Sequence, residues 1–277
     1  MLAPLEDTSD SVLRALCYKY GADTTFTEMT RLDSLARNNK SSWDKINIAD
    51  DTPAWVQIVG NKEDMLKTFL KKYQPPSSFQ GINLNLGCPS PEMIKLGLGC
   101  AMIKRITKIR NMIKIVNDYG YACSVKMRLG LNEYEKQKRV YLNIIEGADA
   151  DFFIVHARHG KQHYESPVDN GAYEDCVKTG KKIIANGDIY AKEQVEFLKS
   201  KGVHGVMIGR NAVYNPAIFN KLKGLLVPST DELKKEYLDL AKKFNAKPHY
   251  QKNVLKRIGK TEATDLTKKE LQNLSQG

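Results

Sequence analysis

Polar and charged side chains stand at the ends of several short apolar segments in this 277-residue chain. The most reactive of them is Cys88, which follows the apolar run Gly81–Gly87 in a Gly-Cys-Pro turn. An unperturbed thiol has a pKa of about 8.5, so it stays protonated at neutral pH and can still give up its proton. A free cysteine taken alone is more often a small buried hydrophobe. Cys88 becomes a candidate proton donor because of the residues at the other segment ends.

Those other segment ends carry amide groups, cations and glycines. They are Gln57, Asn85, Lys126 with Arg128, His156 with Arg158, Asn186-Gly187-Asp188 and Gly209-Arg210. The members of each cationic pair are two residues apart, so both point to the same side of a strand. Glycine lets backbone N–H groups approach an anion closely, and Arg210 adds a charge-assisted pair. The set predicts a cationic mouth that binds a phosphorylated ligand.

Eight apolar segments alternate with helical patterns and would position these side chains. The segments are Met1–Leu5, Thr24–Met29, Ala54–Gly60, Gly81–Gly87, Cys123–Leu129, Phe152–Arg158, Lys182–Asp188 and Gly205–Arg210. The clearest helical patterns are Ser11–Tyr20, Lys62–Tyr73 and Ile106–Tyr119. Nearly continuous apolar runs are typical of strands buried on both faces. The alternation predicts an α/β fold, a (β/α)8 TIM barrel whose chemistry lies at the carboxyl ends of the strands. A doubly wound sheet is the alternative, but no Gly-x-Gly-x-x-Gly run follows the first segment.

The character of the sequence changes after Pro228. Ser229 and Glu232 have the spacing of a capping box that opens a helix. Two further helical stretches follow, Val254–Ile258 and Leu266–Leu274. We therefore predict a barrel domain over residues 1–225 and a short helical domain over residues 229–277 that packs on the barrel. The second carries eleven basic and seven acidic side chains, which suits contact with RNA.

Composition narrows the function classes. The formal net charge of +11 favours a polyanionic partner, nucleic acid first and an anionic membrane surface second. No apolar run approaches the roughly 20 residues of a membrane span. Five scattered cysteines lack metal-type CxxC spacing. We expect a reduced, cytoplasmic protein without a metal site, and a monomer.

Five motifs in this order resemble those of the tRNA-dihydrouridine synthase family. They are Asn-Leu-Gly-Cys-Pro (85–89) with Gly-Leu-Gly-Cys-Ala (97–101), Val-Lys-Met-Arg-Leu-Gly (125–130), His-Ala-Arg (156–158), Asn-Gly-Asp-Ile (186–189) and Ile-Gly-Arg-Asn-Ala (208–212). No single motif is decisive, but their order and spacing are specific jointly. The similarity extends from Ala3-Pro4-Leu5 and Thr27-Glu28-Met29 to about Phe219.

The resemblance implies a flavoprotein that binds FMN at the barrel mouth and reduces the C5=C6 bond of uridines in tRNA. NADPH or NADH would supply the electrons. Hydride would reach C6 from reduced FMN, and Cys88 would give a proton to C5. The implied FMN contacts are Pro4, Leu5, Glu6, Gln57, Lys126, His156, Asn186, Gly187, Asp188, Gly209 and Arg210. The implied uracil contacts are Asn85, Arg128 and Arg158.

Some positions depart from the family pattern. Leu5 stands where the family usually has Met, and Glu6 brings a carboxylate toward an anionic cofactor. Cys100 is the rival proton donor, although its Gly-x-Gly-Cys-Ala setting indicates a small residue packed under a turn. For His163 and Tyr164 the sequence favours a loop or tRNA contact over catalysis.

Three other functions stay open at this point. An FMN barrel of the dihydroorotate dehydrogenase type would reduce a small molecule, and the excess positive charge argues against it. A non-catalytic RNA-binding protein built on a barrel would not need the intact set of strand-end residues. A phosphate-binding barrel without flavin, such as a sugar-phosphate isomerase, has no evident use for Cys88 beside Lys126 and Arg128.

Overall fold

The apolar segments pair in parallel into one curled sheet. The computed structural model describes residues 1–260. The strands are β1 (Thr25–Phe26), β2 (Thr30–Arg31), β3 (Ala54–Val59), β4 (Phe79–Leu86), β5 (Cys123–Arg128), β6 (Phe152–His156), β7 (Ile183–Asn186) and β8 (Gly205–Met207). Their order is β1-β3-β4-β5-β6-β7-β8, with β2 also beside β3. Strands β3, β6 and β7 are buried along their whole length, as expected where helices cover the outer face.

The first residues of the chain close this sheet into a barrel. Leu2 forms a parallel bridge with Ile208, and the Ala3 N–H donates to the Ile208 carbonyl at 2.9 Å. On the other side, the Leu2 N–H donates to the Thr24 carbonyl at 3.0 Å, just before β1. Pro4 has no N–H to extend the pairing, so the predicted strand Met1–Leu5 is reduced to this bridge. The prediction of a TIM barrel is confirmed.

Three predicted strands are shorter in the structure than in the prediction. The segment Thr24–Met29 contributes only β1, and β2 begins just after it. Strand β7 stops at Asn186 because Gly187 and Asp188 have φ values of 128° and 50°, outside the β region. Strand β8 stops at Met207, two residues before Gly209. The polar residues therefore lie in the loops after these strands.

Helices follow most strands and cover the outside of the barrel. They are α1 (Ser11–Lys19), α2 (Leu32–Ala36), α3 (Lys40–Lys45), α4 (Glu63–Lys72), α5 (Pro91–Lys95), α6 (Ile106–Asp118), α7 (Glu133–Gln137), α8 (Val140–Gly147), α9 (Gly171–Lys178), α10 (Lys192–Ser200), α11 (Arg210–Tyr214), α12 (Ile218–Lys223), α13 (Thr230–Lys243) and α14 (Pro248–Leu255), with a 3-10 turn at Gly99–Met102. Helices α1, α4 and α6 match the predicted helices to within one residue at each end. Of the helices from α1 to α14, none is long and apolar enough to cross a membrane.

Aromatic rings fill the amino-terminal end of the barrel. The ring of Trp55 meets Phe152 edge-on at a centroid distance of 4.9 Å and stacks with Phe26 at 6.2 Å. A Cβ at Gly81 would lie 2.5 Å from Cζ3 of Trp55, so only glycine leaves room for that ring. With this end filled by apolar side chains, the polar residues of the interior are left at the opposite end.

The segment after Pro228 packs back on the barrel. Helix α13 begins with the predicted capping box: the Ser229 N–H donates to Oε2 of Glu232 at 2.8 Å, and the Glu232 N–H donates to Oγ of Ser229 at 3.3 Å. The hydroxyl of Tyr20, the residue that follows α1, hydrogen-bonds to the Glu236 carboxylate on α13 at 2.8 Å. These contacts tie α13 to the first helix of the barrel.

Helix α14 is joined to the carboxyl end of the barrel by a buried hydrogen bond. The hydroxyl of Tyr250 donates to Oε2 of Glu28, a carboxylate with no solvent exposure. This helix begins at Pro248, earlier than the predicted stretch Val254–Ile258, because proline suits the first turn of a helix. The predicted stretch Leu266–Leu274 lies outside the described residues.

Candidate active site

A cavity opens at the carboxyl ends of β5 to β8. It is open to solvent, and its space together with the open mouth is about 580 Å³. Its lining is Ala3, Pro4, Leu5, Lys126, His156, Tyr164, Asn186, Gly187, Asp188, Ile189, Met207, Gly209, Arg210 and Asn211. The lining includes nine of the eleven residues that the sequence predicts to bind a cofactor. The other two, Glu6 and Gln57, lie elsewhere.

The ammonium group of Lys126 is part of the cavity lining. It points inward from β5 and is half-buried. Among residues 1–260, no acceptor or carboxylate lies within bonding distance of its Nζ atom. Burial, followed by the positive charge of Arg128, lowers the pKa of Lys126 to about 8. A half-buried ammonium group of this kind suits a ligand that carries negative charge or an acceptor atom.

His156 lies at the end of β6 as a neutral imidazole. Burial lowers its pKa well below the ordinary value, and the charges of Lys126, Arg128, Arg158 and Arg210 act in the same direction. The Arg158 guanidinium lies 3.1 Å from the Nε2 atom of His156. Because a guanidinium only donates, Nε2 must accept and the ring proton must be on Nδ1. The lining therefore contains a neutral imidazole whose Nδ1–H is a donor.

Asp188 joins two arginines across the cavity wall. One carboxylate oxygen accepts from Arg158 and the other accepts from Arg210 at 3.0 Å. Asp188 has a left-handed backbone with φ of 50°, and Gly187 before it has φ of 128°. A Cβ at Gly187 would lie 3.0 Å from Cδ2 of His156, so glycine is required for this close approach. The loop after β7 thus fixes the positions of the imidazole and of both arginines.

Tyr164 lines the cavity and lies close to three arginine side chains. The Cζ atom of Arg210 lies 4.3 Å from the centroid of the Tyr164 ring, and those of Arg128 and Arg158 lie 5.5 and 5.9 Å away. The ring also stacks on His156 at 6.0 Å with an interplanar angle of 21°. Its position in the lining was missed by the sequence analysis, which placed Tyr164 only in a loop or at a tRNA contact. The signal was present, since an aromatic residue follows the His-x-Arg motif.

The turn that carries Cys88 is held by a chain of amide side chains. Oδ1 of Asn85 accepts the backbone N–H groups of Gly87 at 3.0 Å and Cys88 at 2.9 Å. Nδ2 of Asn85 donates to Gln57 at 2.9 Å, and Gln57 donates to Asn83 at 2.7 Å. Gln57 lies inside β3 and is only 1% exposed. In this structure Asn85 holds the turn that carries Cys88, and Gln57 lies in the barrel interior and holds Asn85.

Cys88 lies beside the cavity and is not part of its lining. The side chain is half-buried and packs against the apolar cluster of Val59, Met93 and Leu98. It is near enough to Lys126 to be among the groups that influence the pKa of that lysine. A Cβ at Gly99, where φ is 56°, would lie 2.4 Å from the Cys88 carbonyl oxygen, so the neighbouring turn requires glycine.

The rival thiol, Cys100, is packed under the same turn. It has no solvent exposure, and its Sγ donates to the Gly87 carbonyl at 3.1 Å. Burial raises the pKa of Cys100 to about 12. This setting matches the small packed residue that the sequence predicts. Cys123 and Cys176 are also buried.

The two arginines predicted to contact uracil are buried and bonded to the loop after β6. Arg128 donates to the His159 carbonyl at 2.9 Å. Arg158 donates to the carbonyls of Tyr164 at 2.8 Å and of Ser166. Arg128 is 3% exposed and Arg158 is not exposed at all. Both arginines lie at the barrel mouth, but their guanidinium groups are hydrogen-bonded to backbone carbonyls of the protein.

Two further residues differ from the expectations. The Glu6 side chain is exposed and faces Lys45 on α3, with 3.9 Å between Oε1 and Nζ, so it does not enter the cavity. Asn211, which the sequence analysis did not single out, lines the cavity and donates to the Ile189 carbonyl at 3.3 Å. This bond ties the loop after β8 to the loop after β7. Within the 260 described residues, no three His, Cys, Asp or Glu side chains are grouped so that they could hold a metal ion.

Solved structures with the same fold place the chain among closed parallel barrels. A morphinone reductase mutant in complex with tetrahydroNAD has a TM-score of 0.58 and 9% identity, covering 85% of this chain and 89% of its own. The old yellow enzyme from Trypanosoma cruzi has a TM-score of 0.55 and 10% identity, covering 90% of this chain and 94% of its own. At these identities the likeness defines the class of fold alone.

Sequence comparison identifies the family. The model for "Dihydrouridine synthase (Dus)" matches residues 1–277, and the chain belongs to this family. A probable tRNA-dihydrouridine synthase of Helicobacter pylori is 30% identical over 80% of this chain and 69% of its own length. A tRNA-dihydrouridine synthase B of Pseudomonas putida is 29% identical over 86% of this chain and 74% of its own length.

The chain spans only about a third of the length of some relatives. A human protein named tRNA-dihydrouridine(47) synthase [NAD(P)(+)]-like is 28% identical over 80% of this chain but only 35% of its own length. A rat protein of the same name has the same coverage at 27% identity.

Proposed function

We propose that this protein is a flavin-dependent oxidoreductase that reduces uridines in tRNA to 5,6-dihydrouridine. The single observation that carries the proposal is the cavity itself. Its lining combines Lys126, which has no partner among residues 1–260, a neutral His156, and the two glycine-containing loops after β7 and β8. Membership of the dihydrouridine synthase family and the printed names of the relatives support this reaction.

The residues of the cavity fit FMN. The loops after β7 and β8 form the usual phosphate site of TIM barrels, and here they contain Gly187, Gly209 and Arg210. Lys126 supplies the positive charge that the reduced ring system needs, and Nδ1–H of His156 supplies a donor. Pro4 and Leu5 contribute apolar surface to the lining. When bound, FMN supplies hydride transfer, and the protein supplies its position and charge environment.

Cys88 is the proposed donor of the proton that C5 of uracil receives. Asn85 fixes the backbone of Cys88 from the end of β4, so the position of the thiol is set by the barrel. Proton transfer needs a donor within hydrogen-bond distance of the acceptor, often reached only when substrate binds. Both Asn85 and Gln57 act in this proposal by holding the turn. The names of the human and rat relatives include NAD(P), which supports NADPH or NADH as the source of electrons.

The RNA partner is proposed from charge and from the need for an exposed base. A stacked uridine must be flipped out of tRNA before it reaches the barrel mouth, at a cost of a few kcal/mol. The net charge of +11 favours phosphate contacts that offset this cost and that weaken as salt increases. We assign residues 1–225 to the catalytic barrel and residues 229–277 to an RNA-binding segment. A cytoplasmic location and a monomeric state stay predictions.

The decisive experiment combines a spectrum with an RNA assay. The purified full chain is expected to be yellow and to release FMN on denaturation. With NADPH, it should add two hydrogens to uridines of an unmodified tRNA transcript, measured by mass spectrometry of nucleosides. A protein that binds no flavin and leaves the transcript unchanged would contradict the proposal. Reduction of free pyrimidines without tRNA would favour the small-molecule alternative instead.

A further inference from the structure

Arg158 is the most completely engaged side chain at the barrel mouth. It has no solvent exposure, although it stands at the edge of an open cavity. Its Nε and NH2 groups donate to the carbonyls of Tyr164 and Ser166, and NH2 also donates to the Asp188 carboxylate. Its NH1 group donates to His156. A base entering the mouth would meet the loop that covers this guanidinium before it met the guanidinium itself.

The contact with His156 decides which imidazole nitrogen carries the proton. A guanidinium cannot accept a hydrogen bond, so Nε2 of His156 is the acceptor and Nδ1 is protonated. In the described part of the chain, the contact of Nε2 with Arg158 is the only hydrogen bond of the His156 ring. The ring therefore offers a fixed donor to whatever ligand occupies the cavity. Without Arg158 the two tautomers would be free to interchange.

The contact with Asp188 extends the influence of Arg158 to the other side of the cavity. Asp188 accepts from Arg158 and Arg210 with different oxygens. The backbone of Asp188 is left-handed, with φ of 50°. Its carboxylate is held in place by the two arginines. Arg158 thereby orients Arg210 without touching it. The same guanidinium holds Tyr164, whose ring packs on Arg210 at 4.3 Å.

We propose that Arg158 is a positioning residue for the cofactor and does not contact the uracil. It fixes His156 as the Nδ1–H tautomer, orients Arg210 through Asp188 and anchors the loop that carries Tyr164. The proposal rests on the function proposed above. It replaces the sequence-based assignment of Arg158 as a uracil contact. It predicts that loss of Arg158 affects cofactor binding and turnover more than affinity for tRNA.

The direct test is the protonation state of His156 by ¹⁵N NMR of the full chain without added ligand. Labelling of the five histidines, with His156→Gln for assignment, identifies the relevant signals. The wild type is expected to show a protonated Nδ1 and a bare Nε2 at neutral pH. Arg158→Met should show the other tautomer or a mixture. A protonated Nε2 in the wild type, or an unchanged tautomer in Arg158→Met, would overturn the proposal.

Kinetics separate positioning from substrate contact. Arg158→Lys keeps the charge but cannot make the same fork of bonds. We expect FMN to dissociate about 10 to 100 times more readily and kcat to fall, as when residues that orient a ligand group are removed. The KM for tRNA should change less than about threefold. A tenfold rise in KM with FMN retention and kcat unchanged would identify a uracil contact and refute positioning.

Two controls make the test independent of folding and of the proposed function. Arg110→Met removes an exposed arginine on α6, away from the cavity, and should leave the NMR spectrum, FMN binding and kcat unchanged. If Arg158→Met fails to fold because Asp188 keeps Arg210 but loses the bond to its second oxygen, Arg158→Met with Asp188→Asn removes that incompletely paired carboxylate. A wild type that binds no FMN would contradict the proposed function, whereas the tautomer of His156 is measured without any cofactor.

Discussion

Oδ1 of Asn85 accepts the backbone N–H of Cys88 at 2.9 Å. The same oxygen accepts the N–H of Gly87 at 3.0 Å, so one side chain caps the turn between β4 and α5. Asn85 is held in its turn by Gln57 on the neighbouring strand. The backbone position of Cys88 is therefore fixed from strands β3 and β4 of the barrel sheet.

Cys88→Ala should separate cofactor binding from uridine reduction. The substitution removes the proposed proton donor but leaves the cavity lining intact. We expect the variant to stay yellow and to lose about 10²- to 10⁴-fold in uridine reduction, the usual contribution of a general acid. Flavin content is measured by absorbance, and reduction by nucleoside mass spectrometry after incubation with an unmodified transcript.

Cys100→Ala is the matched control for the thiol. Burial raises the pKa of Cys100 to about 12, and its Sγ is bonded to the Gly87 carbonyl. Its loss should cost some stability and leave most of the activity. Full activity in Cys88→Ala together with loss in Cys100→Ala would move the proton donor to the buried thiol.

Gly99→Ala should impair the same step through the backbone. The added Cβ would lie 2.4 Å from the carbonyl oxygen of Cys88 and 3.0 Å from its Cβ, so the turn must shift. Misplacement by about 1 Å is enough to cost about 10²-fold in rate. Gly120→Ala is the control, because Gly120 also has positive φ but has nothing within 4 Å of the new Cβ. Both substitutions carry the left-handed strain of about 1–2 kcal/mol, and only the first should reduce kcat with flavin retained. Equal kcat in the two variants would show that the position of Cys88 is not critical.

Much of the architecture was predictable because it depends on local patterns. Buried parallel strands gave continuous apolar runs, and Ser229 with Glu232 gave the start of α13. The rule that polar residues at strand ends meet at one mouth led to the candidate residues, and Lys126 and His156 line the cavity in the structure. The start of the chain was harder, because Pro4 limits Met1–Leu5 to one bridge.

The hydrogen-bond partners of the individual side chains at the mouth were not predictable from the sequence. Arg128 and Arg158 have the expected direction, but their partners are the carbonyl groups of His159, Tyr164 and Ser166. Those carbonyls belong to a loop whose path depends on contacts across the mouth, and spacing along the chain contains no information about them. The direction of the Glu6 side chain depends on the loop path in the same way, since the loop after Pro4 turns it toward Lys45 on α3 and away from the cavity lining.

The charge of Lys126 should make FMN affinity depend on pH. Burial and the neighbouring Arg128 lower the pKa of Lys126 to about 8, so the cation is lost as pH rises through that value. Below this pKa affinity should be constant, and above it the apparent Kd should rise by up to about tenfold per pH unit. Quenching of flavin fluorescence during titration of the apoprotein measures this Kd.

Two substitutions at Lys126 check this assignment. Lys126→Arg keeps its charge at high pH and should abolish the rise in Kd. Lys126→Met should bind FMN weakly at every pH. A wild-type rise that persists unchanged in Lys126→Met would assign the titration to another group.

Tyr250→Phe should weaken the attachment of α14 to the barrel, and more so at higher pH. Burial raises the pKa of Glu28, while the Tyr250 hydroxyl donates to its carboxylate and acts in the opposite direction. Without that donor the pKa of Glu28 rises further, and a raised carboxyl pKa favours the folded state only while the group is protonated. The loss in free energy of unfolding should therefore be about 1–3 kcal/mol near neutral pH and smaller at about pH 5. Urea unfolding at the two pH values measures it, with Tyr18→Phe on the exposed face of α1 as the control. If Tyr250→Phe costs the same at both pH values, the Glu28 carboxylate is not the group that the hydroxyl stabilises.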